Sequence, residues 1–167
     1  MDVFIDELIA GLPDSAQLAR VTFRLAMAAL FGAVVGWQRE RVGKAAGLRT
    51  HMLVSLGAAL YVIAPIEYGM ANDALSRIIQ GLVTGIGFLG AGAILKLTDQ
   101  RLVKGLTTAA GLWLTAAVGI AVGLGRWGTA AVSVVLIWFI LDVLARLERR
   151  LEHPSSADGS GESDSGR

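Results

Sequence analysis

Cysteine is missing from this chain of 167 residues, which excludes disulfide bonds and thiolate metal sites. Histidine occurs only as His51 and His153, far apart and without an acid or nucleophile at a spacing that would make a catalytic set, so an enzyme is not expected. Charge is scarce too. Asp, Glu, Lys and Arg make up 17% of the residues and the net charge is +1, which leaves no electrostatic footprint for a nucleic acid. No apolar stretch holds two acids, so the converging oxygen ligands of a magnesium site are not supplied inside one, and no resident cofactor is expected.

What the chain has instead is apolar length. Residues of the apolar classes make up 54% of it, glycine occurs 21 times, and the mean hydropathy is +0.60. Five apolar runs stand out, at about Val21–Trp37, Met52–Ile66, Ile78–Leu95, Leu106–Leu124 and Trp127–Ala145. Each is near the ~20 residues that a helix needs to cross a bilayer. The runs are apolar all round rather than alternating, which favours helices over barrel strands. The expected fold is an all-α integral membrane bundle of about five transmembrane helices.

Orientation follows from Lys and Arg. The connection Gln38–Arg49 carries Arg39, Arg41, Lys44 and Arg49, the connection Lys96–Gly105 carries Lys96, Arg101 and Lys104, and Arg146, Arg149 and Arg150 follow the fifth run. These segments are expected on the cytoplasmic side, with the N-terminus outside and the C-terminus inside.

Three regions result. Residues 1–15 are acidic, and their apolar positions are interrupted by Asp6 and Glu7, which suits a surface amphipathic segment better than a cleaved leader. Pro13 ends it, and Asp14 to Gln17 has the form of a capping box opening the first span. Residues 16–151 form the membrane domain. Residues 152–167 are mostly Ser, Gly, Asp and Glu without a hydrophobic anchor and are expected to be a disordered polar tail.

Small residues recur four apart within the spans: Ala28, Gly32 and Gly36; Gly81 and Gly85; Gly111, Thr115, Gly119 and Gly123. Such stripes let helix backbones approach closely in lipid. The denser run holding Gly85, Gly87, Gly90 and Gly92 either packs in the same way or marks an unwound segment lining a cavity. An offset of 58 residues aligns Gly47-Leu48-Arg49-Thr50 with Gly105-Leu106-Thr107-Thr108 and Gly32-Ala33 with Gly90-Ala91, which suggests a duplicated two-helix hairpin with a fifth helix added. In both copies the Thr residues are expected to cap helix starts that lie side by side, an arrangement able to receive an anionic group.

Ionisable and polar groups within the spans are functional candidates. Arg24 shares the Ala28–Gly32–Gly36 face and is expected to meet another helix or to snorkel outward. Asp142 is expected to pair with Arg146 one turn later. Gln80 and Thr84 are expected to form hydrogen bonds between helices.

The segments Gly36-Trp37-Gln38-Arg39-Glu40-Arg41, Ala46-Gly47-Leu48-Arg49-Thr50-His51, the run Gly85–Ile94, and Gly105-Leu106-Thr107-Thr108-Ala109-Ala110 with Trp113 closely resemble the membrane domain of the MgtC/SapB family. The resemblance covers about Arg20–Gly125, with the motifs in the family's order and spacing. It implies a multi-pass protein of the bacterial inner membrane, tied to growth under magnesium limitation and survival inside host cells. It also implies regulation of other membrane machinery, such as the proton-driven ATP synthase, as the mode of action, with a magnesium or other small-ion channel or transporter as the alternative. Two departures bear on this: Gln38 stands where the family often has Glu, and a short polar tail follows the last span where many members continue into a soluble domain. The expected interaction residues are Arg39, Glu40, Arg49, Thr50 and His51 with Thr107 and Thr108. In this set Arg39 and Arg49 are the anion partners and Glu40 their counter-charge. Membrane lipids, other membrane proteins or a second copy of the chain are the expected partners.

Overall fold

A computed structural model describes residues 14–97, 102–144 and 146. Five helices are long and apolar enough to cross a membrane. They are α1 (Ser15–Arg41), α2 (Leu48–Glu67), α3 (Asn72–Gly92), α4 (Leu106–Gly123) and α5 (Trp127–Phe139), the last running on as a wider π-turn over Ile140–Leu144. A two-stranded antiparallel hairpin, β1 (Leu95–Leu97) and β2 (Leu102–Lys104), fills the connection between α3 and α4. The expected surface segment, apart from Asp14 and Ser15, and the expected polar tail lie outside the described residues.

Local chemistry explains the helix ends. Asp14 caps α1 by accepting from the Gln17 amide, as its motif predicts. At the other end Gly43 takes a φ of +67°, the Gly43 amide donates to Glu40 O, and the Lys44 amide donates to Arg39 O. This is a Schellman stop, and the left-handed glycine is what permits it. Gly69 and Gly125 end α2 and α4 with the same pair of bonds.

The spans differ from expectation at three places. The first helix extends through Arg41, so Gln38, Arg39 and Glu40 are helical rather than part of a loop. The third begins at Asn72 and not Ile78, because Asp73 in the first turn pairs with Arg77 at 2.7 Å and favours the helix dipole. The Gly85–Gly92 run is helical throughout and not unwound.

Backbone proximity organises the bundle around α2. A Cβ at Gly32 would lie 2.6 Å from His51 O, and one at Gly36 would lie 2.8 Å from Leu48 Cα. On the α4 side, a Cβ at Gly119 would lie 2.2 Å from Ser55 O and one at Gly123 would lie 2.9 Å from Ala59 O. The partners advance together along α2 and α4, so these helices run parallel, whereas α1 is antiparallel to α2. Ala28, Val35, Ala59, Ile63, Val118, Val122, Ala130 and Val134 then form a core shared by α1, α2, α4 and α5.

The glycines of α3 behave differently. A Cβ at Gly81, Gly85, Gly87 or Gly92 would meet nothing within 4 Å, so the close packing expected of this stripe is not made. Gly81 and Gly85 instead line an open apolar groove of about 620 Å³ between α2 and α3, with Gly57 and Tyr61 on the facing wall. Only Gly90 approaches a neighbour, at 3.6 Å from Ala109 Cβ. Shifted by 58 residues, that contact is the Gly32–His51 contact, so the repeat seen in the sequence has a structural counterpart at its point of closest helix approach.

Gly119→Ala should therefore lower the thermal stability of the detergent-solubilised protein, by an amount in the ~1–3 kcal/mol range typical of overpacking. Gly81→Ala, facing open space, should be neutral or slightly stabilising. Equal effects of the two would contradict the packing described.

Candidate functional site

The buried polar groups are gathered at one end of the bundle, where the α1 C-terminus meets the starts of α2 and α4. This is also the basic end, carrying Arg39, Arg41, Lys44, Arg49 and Lys104. Gln38, Arg39, His51, Ser55, Thr108 and Thr115 are all buried there or just beneath.

Glu40 and Arg39 leave the last turns of α1 in different directions. The Glu40 carboxylate accepts from the Leu48 amide at 2.7 Å and so caps α2 across the connecting loop. A Cβ at Gly47 would lie 2.8 Å from that carboxylate, so a larger residue there would have to displace the capping side chain. Glu40 is thus a helix cap and not the counter-charge of Arg39 or Arg49: no ion pair includes it among the described residues. The threonines do not cap either. Gly47 and Gly105 occupy the N-cap positions, which places Thr50, Thr107 and Thr108 inside the first helical turns, past the position from which a hydroxyl caps.

Arg39 is 2% exposed. Its Nη2 donates to Thr108 Oγ1 at 3.3 Å, linking α1 to the first turn of α4, and its Nε has no partner among the described residues. Beside it, a cavity of about 600 Å³ opens between the loop after α1, the hairpin and the α4 start, with Lys44, Lys104, Thr107 and Thr108 also in its lining. Gly105 closes one wall with a φ of +99°, and a Cβ there would fall 2.0 Å from Ala93 O.

His51 is fully buried, with Nδ1 2.7 Å from Thr115 Oγ1. The Thr115 hydroxyl donates to Gly111 O at 2.8 Å, so the ring nitrogen is the donor to it and Nε2 is left as an acceptor without a partner. Ser55, one turn beyond His51, also has an unpartnered hydroxyl. Gln38 Nε2 donates to Leu141 O at 3.1 Å and ties α1 to the π-turn.

Of the expected residues, Arg39, His51 and Thr108 come together in the buried seam, while Arg49, Thr50 and Thr107 are exposed around it. The candidates within the spans are dispersed. Arg24 does meet another helix: at the opposite end of α4 it donates to Gly123 O at 3.0 Å, a cation at a helix C-terminus. Asp142 pairs with Arg146 at 2.7 Å, as expected. Gln80 and Thr84 are exposed, and Thr84 donates back to Gln80 O on its own helix, so the expected bond between helices is not made. Ser55, and the pairing of Thr115 with His51, were not anticipated. Their signal is spacing: His51 and Ser55 lie four apart, and Thr108, Gly111 and Thr115 lie three and four apart, on one face of each helix.

Five apolar helices, of which α1, α2 and α4 close by backbone contact, carrying a buried polar seam, define an all-α, multi-pass membrane protein. The chain belongs to the MgtC family, whose profile matches residues 25–150. Protein SrpB of Synechococcus elongatus is 43% identical over 140 residues, covering 77% of this chain and 77% of its own length. "Putative magnesium transporter YhiD" of Escherichia coli K12 is 42% identical over 142 residues, covering 80% of this chain and 64% of YhiD. Protein MgtC of Salmonella typhimurium LT2 is 38% identical over 136 residues, covering 81% of this chain and 57% of MgtC. The chain therefore spans less than two thirds of YhiD and of that MgtC. No solved structure matches.

Glu40→Ala should lower thermal stability by about 1 kcal/mol, the usual cost of a lost N-cap, and Glu40→Gln should retain most of it. Thr50→Ala, with no capping role, should stay within about 0.5 kcal/mol of the parent chain. Thermal unfolding of the three variants in one detergent checks the assignment.

Proposed function

We propose that this chain is a bacterial inner-membrane protein that supports magnesium homeostasis and adaptation to low magnesium by contacting and regulating other membrane proteins. Family membership and the magnesium named in the YhiD relative support the process. Placing the basic end in the cytoplasm, with the N-terminus outside, follows from the Lys and Arg distribution. On this reading residues 16–151 are the membrane domain, and the chain is not an enzyme.

The observation that carries the contact reading is how the polar groups are engaged. An ion path would need oxygen ligands facing a shared interior. Here Thr84 is turned back onto its own helix and Asp142 is bound to Arg146. Among the described residues no three His, Asp or Glu side chains cluster as a metal site would require. At the basic end, by contrast, Arg41 lies 4.4 Å over the exposed Trp37 ring, and Arg49 stands exposed in the first turn of α2. These cations and an aromatic form a surface suited to an acidic segment of a neighbouring membrane protein.

Arg49→Ala should insert and accumulate normally yet fail to support growth in limiting magnesium, and normal growth would remove Arg49 from the interaction surface. Magnesium entry into proteoliposomes carrying the folded protein should not exceed that into protein-free vesicles. Flux above that control, altered by Asp142→Asn, would replace the regulator reading with a carrier.

A further inference from the structure

We propose that the 600 Å³ cavity at the basic end is a binding site for a phosphate group, carried by an anionic lipid or free in solution. The inference is independent of the regulator reading, because it rests on the cavity and would stand whichever protein, if any, the exposed surface contacts.

The first observation is Arg39. A guanidinium taken out of water is costly unless its charge and donors are matched. At 2% exposure it has one long bond to a neutral hydroxyl, and its Nε has no partner among the described residues. No carboxylate lies within ion-pairing distance of it among the described residues, and the adjacent Glu40 is turned away onto the Leu48 amide. Arg39 is among the residues that line the cavity.

The second observation is the rest of the wall. Lys44 and Lys104 add two ammonium-bearing residues, and among the described residues no carboxylate lines the cavity. Lys44 is held near Arg39 by the bond from its amide to Arg39 O. The floor is the α4 start: the first bond of that helix runs from the Ala109 amide to Gly105 O, so the amides of Leu106, Thr107 and Thr108 precede it without helical partners. Among the described residues no side chain bonds to them, and the glycine at the N-cap position has none to offer. Aligned amides, a helix dipole, two hydroxyls and three cations around one cavity match the donor demand of a tetrahedral dianion or phosphodiester. Basic pockets between helices at the membrane surface serve lipid headgroups in the same way.

The test uses the full chain in a zwitterionic detergent. Inorganic phosphate should raise the melting temperature in a saturable manner that sodium chloride at equal ionic strength does not reproduce. Native mass spectrometry should show retention of phosphatidylglycerol over phosphatidylcholine. The double variant Lys44→Ala with Lys104→Ala, exposed positions whose loss should leave folding intact, should weaken either response at least about tenfold, while Arg41→Ala, basic but outside the cavity, should not. A response to phosphate and lipid together, or to one alone, supports the site and identifies its source. No response to either, or one unchanged in the double variant, overturns it.

Discussion

Everything in this bundle depends on backbone-to-backbone approach along α2. Lipid offers no hydrophobic gain for bringing apolar helices together, so contact must come from close packing and from polar groups with nowhere else to bond. Gly32 and Gly36 admit α2 against α1, and Gly119 and Gly123 admit it against α4. Packed against both α1 and α4, α2 carries His51 and Ser55 into the interior. The His51–Thr115 bond is a product of that approach, since the glycine stripe of α4 sets how near Thr115 comes.

The same geometry divides two adjacent residues of α1. Glu40 faces the loop and fixes the start of α2, and Arg39 faces inward and reaches the start of α4. One helix end thereby controls the register of two parallel helices. Arg39 is then positioned by the fold, as the proposed anion site requires.

The sequence announced the five helices because continuous apolar length is a strong signal that tertiary context does not override. The Asp14 cap, the Asp142–Arg146 pair and the stripes of α1 and α4 were equally legible, being local or periodic. What periodicity cannot tell is whether a stripe finds a partner. Gly81 and Gly85 have the same spacing as Gly32 and Gly36, yet they face an open groove, because α3 lies across from an α2 surface bearing Leu53 and Tyr61. Capping misled for a related reason. A Gly-Leu-Xaa-Thr start suggests a threonine cap, but the group that reaches the Leu48 amide comes from eight residues earlier. The buried direction of Arg39 was hidden as well, since a run of charges in a short connection reads as solvated.

The unequal halves of the repeat bear on the order in which the chain assembles. α1 and α2 are joined by the short loop Val42–Gly47, and their tight contact involves no later segment. They can close as a hairpin as soon as both have emerged from the ribosome. In the second half the matching position holds Ala109 in place of His51, and the contact is correspondingly looser. α3 therefore has little to hold it until α4 has threaded into place against α2. The seam at the basic end is completed by the same late arrival, so the chain acquires its polar interior only after most of it has entered the membrane.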